Sequence, residues 1–81
     1  MTLNRAFALR LTELLVQNNM SKYRLEKESG LTHSSLRHIF NGNNRDVMLS
    51  SVAKVSRVFG ITLAEFLDNK LFDLMEIDFE Y

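Results

Sequence analysis

The segment MSKYRLEKESGLTHSSLRHIFNG, Met20 to Gly42, has the layout of two short helices joined by a tight turn. Ser21 is suited to N-cap the first helix, and Gly30 to end it in a left-handed conformation. Thr32 is placed to N-cap a second helix from about His33 to Phe40. The spacing is that of a helix-turn-helix, whose second helix is the one offered to a DNA major groove.

The second helix divides into two faces at 100° per residue. Leu36 and Ile39 fall together and define its buried side. His33, Ser34, Arg37 and His38 fall opposite, with Ser35 and Phe40 near the boundary. Solvent faces of helices ordinarily mix Glu with Lys. This one carries two His, one Ser and one Arg, and no acid. Such side chains suit base edges. Arg37 can donate two hydrogen bonds to guanine O6 and N7, while His33, Ser34 and His38 can donate or accept, which leaves their base preferences open.

Further helices flank this unit. Phe7, Leu11, Leu14 and Leu15 have helical spacing within a first helix from about Leu3 to Asn18. In the helix from Ser21 to Ser29, Tyr23, Leu25 and the Lys27 stem are the packing candidates. After a polar loop, NGNNRDV, a fourth helix is expected from about Leu49 to Phe59, with Leu49, Val52, Val55 and Phe59 inward. Gly60 ends it, and Thr62 caps a short fifth helix with Leu63, Phe66 and Leu67 inward. Proline is absent, and no repeat or low-complexity stretch interrupts the pattern. The expectation is one all-α domain over residues 1–69, followed by an acidic and apolar tail over 70–81.

Composition narrows the chemistry. The chain has 81 residues, no cysteine and a formal net charge of zero. Without cysteine, no disulfide framework or zinc–thiolate site can form. His33 and His38 lie five apart with no evident carboxylate beside them, so neither a metal site nor a cofactor is expected. The absence of a Cys nucleophile, of a glycine-rich phosphate loop and of an orienting carboxylate for either histidine argues against an enzyme. No apolar run approaches the roughly 20 residues that span a bilayer, and no signal peptide opens the chain, so a cytoplasmic protein is expected. The zero net charge hides an asymmetry. Residues 1–60 hold nine Lys and Arg against four acids, whereas residues 61–81 hold Lys70 against six acids. A basic body with an acidic end fits a molecule with one face on phosphates.

These segments resemble the phage-repressor family of helix-turn-helix regulators, the Cro and Xre type. The likeness runs from about Arg10 to Leu67 and rests on RLTELL, on SKYRLEKESGLTHSSLRHIFNG and on SVAKVSRVFGITLAEFL. It implies a compact five-helix, lambda-repressor-like domain that binds operator DNA as a dimer. Positions matching His33, Ser34, Arg37 and His38 would approach bases. Positions matching Lys22, Thr32, Asn41 and Arg45 would approach phosphates, and Asn43 and Asn44 share their loop. Three departures stand out. Glu26 replaces a small residue usually packed against the recognition helix, Met48 replaces a capping Ser or Thr, and Leu15 and Phe40 replace a frequent Arg–Glu pair.

The tail alternates. Ile77, Phe79 and Tyr81 interleave with Glu76, Asp78 and Glu80, the period-two pattern of a half-buried strand. An isolated strand is unstable in water and must pair or pack. The expectation is a two-fold dimer contact through Phe72, Leu74, Ile77, Phe79 and Tyr81, with a tail folded back on its own domain as the alternative. A repressor of palindromic operators follows as the leading function, with no small-molecule effector. The competing readings are an antitoxin or interaction module whose tail binds a partner protein, and an adaptor that has lost DNA binding.

Overall fold

The computed structural model describes residues 1–41 and 46–79. Among the described residues five helices follow one another: α1 (Leu3–Gln17), α2 (Lys22–Ser29), α3 (His33–Asn41), α4 (Leu49–Val58) and α5 (Leu63–Leu67), and a 3-10 turn follows at Lys70–Phe72. No helix among the described residues is long and apolar enough to cross a membrane.

Side-chain caps set where most of the helices begin. The hydroxyls of Thr2, Ser21, Thr32 and Thr62 accept the backbone N–H groups of Arg5, Arg24, Ser35 and Glu65 at 3.0–3.2 Å. Each satisfies a donor that the first turn leaves without an intrahelical partner. α4 is the exception, because Met48 stands at its N-cap and supplies no side-chain bond. Gly30 terminates α2 at φ +76°, in the left-handed region where a Cβ is strained.

The core is built around α1. Phe7, Leu11, Leu14 and Leu15 meet Leu25 of α2, Leu36 and Ile39 of α3, Val52 and Val55 of α4 and Phe66 of α5. Phe40 is half-buried against this cluster, so an apolar pair at Leu15 and Phe40 is compatible with α1 and α3 packing together. The Phe7 and Phe66 rings lie 5.3 Å apart, and Phe72 stacks beyond them at 6.1 Å from Phe66. Arg10 joins α1 to α5. Its guanidinium pairs with Glu13 at 2.6 Å and donates to the Phe66 and Glu65 carbonyls at 2.9 and 3.2 Å. Those carbonyls belong to the last turn of α5, where intrahelical donors run out.

Three inward assignments are corrected. Leu49 is 63% exposed, Leu67 is exposed, and Tyr23 projects to solvent under the Lys27 ammonium, 5.1 Å from its ring. Leu49 and Leu67 lie on the expected faces, but at the first and last residues of their helices, where the neighbouring elements no longer cover them. The tail is corrected as well. Instead of a strand, the described residues show the 3-10 turn, a further turn, and one isolated parallel bridge between Thr2 and Asp78. Ile77 is buried at 8% exposure, and the 3-10 turn packs on α1, so packing continues across residue 69.

Candidate nucleic-acid interface

α2 and α3 meet across Gly30, Leu31 and Thr32, and Ser29 locks the turn. Its buried hydroxyl accepts the Leu31 N–H at 3.2 Å and donates to the Glu26 carbonyl at 3.4 Å. With Leu36 and Ile39 anchored in the core, α3 has one rotation about its axis. His33, Ser34, Arg37 and His38 are thereby all exposed on its outer side. Arg37 forms no ion pair among the described residues. It is exposed at the α2–α3 cleft, and its guanidinium carries the donors that bidentate base recognition requires.

A cleft runs between the two helices, with Lys22, Tyr23 and Glu26 on the α2 side and His33, Arg37 and Phe40 on the α3 side. The Lys22 ammonium sits 4.4 Å from the Phe40 ring centre, a cation–π contact that holds a positive charge at the start of α2. Asn41, the last residue of α3, is exposed at the same cleft. Thr32 is exposed, but its hydroxyl already caps α3 and donates to Ser35 Oγ at 2.9 Å. Asn43, Asn44 and Arg45 lie outside the described residues.

Two charges count differently than the sequence suggests. Arg24 is paired with Glu28 one turn further along α2, and Arg10 is committed to α5. Both therefore already have partners, although the Arg24 pair is exposed and weak. Conversely, His33 does have a carboxylate beside it. Glu26 Oε1 lies 2.8 Å from His33 Nδ1, joining helices across the turn. Glu26 therefore sits at the edge of the outward surface, while helix α3 keeps its packing on Leu36 and Ile39. Tyr23 was missed as a surface residue. Its position one residue after the α2 start, with Lys27 four residues on, is the available signal.

The proposed dimer residues separate in the same way. Phe72 and Ile77 are spent on the protein's own core. Leu74 and Phe79 remain exposed, as does Met75 at 90%, and Tyr81 lies outside the described residues.

The sequence profile of the Cro/C1-type helix-turn-helix DNA-binding domain matches residues 10–70. The chain belongs to this family. The Cro/C1-type assignment carries the general function with it, DNA-binding transcription regulation, and places α2 and α3 as the helix-turn-helix pair. Among solved structures, the crystal structure of the prophage Lp1 protein 11 is similar, with a TM-score of 0.83 at 25% identity, over 90% of this chain and 96% of that one. No curated protein sequence matches the chain. Of the departures from the family pattern, Glu26 is half-buried at the α2–α3 cleft and not in the core.

Proposed function

We propose that this regulator binds a palindromic operator as a homodimer and represses by occluding the promoter. Helix α3 enters the major groove, with Arg37 on a guanine and His33, Ser34 and His38 on neighbouring base edges. Lys22, Thr32 and Asn41, with Asn43, Asn44 and Arg45, fix the register on phosphates, which carry no sequence information directly. The observation that carries this reading is the outer face of α3, where Arg37, without an ion pair among the described residues, stands among exposed polar groups with no acid on the helix itself. Leu74, Met75 and Phe79, the exposed large apolar residues of the described tail, meet a second copy, and the two recognition helices would lie about 34 Å apart on one DNA face.

The test begins with selection of bound sequences from random duplex DNA, which yields the operator. Titrations of operator and scrambled DNA at several salt concentrations then compare variants. Arg37→Ala should cost about 1–3 kcal/mol on the operator and relax one base position. Lys22→Ala should weaken both DNAs alike and reduce the salt slope by about 1. Equal weakening of both DNAs by Arg37→Ala would remove Arg37 from base reading.

A further inference from the structure

We infer that Glu26 fixes the tautomer of His33 and so determines which bases His33 accepts. The inference rests on the reading that α3 lies in the major groove. The geometry is a single contact between two helices, His33 Nδ1 to Glu26 Oε1 at 2.8 Å. An ionised carboxylate only accepts hydrogen bonds, so Nδ1 must carry a proton. In the neutral ring that leaves Nε2 without one, as a bare acceptor. The two partners differ in exposure. The Glu26 side chain is 24% exposed, whereas that of His33 is 83% exposed. The carboxylate is thus tucked beside the cleft, and the ring is held out with Nε2 at its far end.

An acceptor at that place selects among bases. In the major groove the amino donors are cytosine N4 and adenine N6, whereas guanine offers N7 and O6 and thymine offers O4, all acceptors. An Nε2 lone pair can accept from cytosine or adenine and meets another lone pair on guanine. Were the ring free to exchange tautomers, Nε2–H could donate to guanine or thymine equally well. Glu26 therefore acts as a positioning residue: it touches no base and works through His33. It also complements Arg37, which is a donor only. A donor and an acceptor one helical turn apart read two different base types.

Two measurements test this. In the free protein, long-range 15N–1H spectra of the imidazole nitrogens at a pH where the ring is neutral read the tautomer directly. The expected result is Nδ1–H for His33 in the wild-type chain and a mixture in Glu26→Ala. A His33 with its proton on Nε2 in the wild-type chain would overturn the inference without touching the major-groove reading. The second measurement is selection from random duplex DNA by wild type, Glu26→Ala, His33→Ala and the double variant. Wild type should prefer cytosine or adenine at one position by roughly tenfold, within the range of a good base contact. Glu26→Ala should lose the preference at that position alone, and the double variant should match His33→Ala. Unchanged preference in Glu26→Ala sinks the inference alone. If neither His33→Ala nor Arg37→Ala alters any base preference, the major-groove reading and the inference fall together.

Discussion

Asn4 shows how one side chain can set a margin of stability. It is 4% exposed in the first turn of α1, and its amide Nδ2 has no hydrogen-bond partner among the described residues. It borders a mainly apolar cleft with Phe7, Val52 and Phe72 among its walls. A buried donor left unpaired costs about 1–3 kcal/mol, and an apolar group of similar shape removes that cost. Asn4→Leu is therefore expected to raise stability by about 1 kcal/mol, seen as a melting midpoint several degrees higher. A lower midpoint would mean that the amide is needed where it is. Gly30 runs the other way. Among the described residues nothing beyond its chain neighbours lies within 4 Å of where its Cβ would be, so backbone strain at φ +76° is what opposes a side chain. Gly30→Ala should cost about 1–2 kcal/mol, and Gly30→Asn less, because asparagine tolerates this region better. Denaturant titrations of the two variants side by side check the order.

At the level of elements, α5 is the shortest helix and has the most complete cap. Thr62 and Glu65 form a reciprocal capping box, with the Thr62 N–H donating to Glu65 Oε1 at 2.9 Å and the Glu65 N–H donating to Thr62 Oγ1 at 3.0 Å. The Thr62 backbone bond first, and its side chain second, hold the Glu65 carboxyl below the usual carboxylate range. The unfolded chain therefore takes up this proton at a higher pH than the folded one. The contribution is complete above the ordinary carboxylate range and is lost as pH falls through the folded value. Melts from neutral pH down into the acid range should show this loss in wild type and not in Glu65→Gln, whose amide oxygen still accepts the Thr62 N–H. A parallel acid dependence in both chains would remove Glu65 as its source. The helices were legible from sequence for the same local reasons that cap them: Ser21, Thr32, Thr62, Gly30 and Gly60 act within one turn of where they stand. The faces of α3 were legible too, because Leu36 and Ile39 leave it one way to pack. Leu49 and Leu67 were misread because periodicity gives a direction around a helix and says nothing of where the neighbouring helix stops. The Glu26–His33 contact was illegible, since it depends on the angle between α2 and α3 across three turn residues. The same holds for the bonds from Arg10 to the carbonyls of α5, more than fifty residues away.

The whole molecule is closed by its tail. Phe72 extends the Phe7–Phe66 stack, Ile77 is buried, and the Glu13 carboxylate accepts from Asn69 at 3.1 Å while also holding Arg10. Removing residues 72–81 would strip the protein's own core together with any contact to a second copy. Point substitutions at the exposed residues separate the two. For the dimer proposed above, Met75→Glu and Phe79→Glu should leave the melting midpoint near wild type and shift sedimentation toward monomer. A dimer that survives both changes places the interface elsewhere on the surface. The clasp at the two ends, with the Asp78 N–H on the Met1 carbonyl at 2.8 Å beside the bridge to Thr2, has a consequence in time. During synthesis, at about 5–20 residues per second, the first turn of α1 is made roughly four to fifteen seconds before residue 78. Through most of that interval Phe7 waits without Phe66 and Phe72 over it. A nascent chain that pauses before residues 66–72 emerge therefore leaves this apolar face of α1 uncovered for as long as the pause lasts.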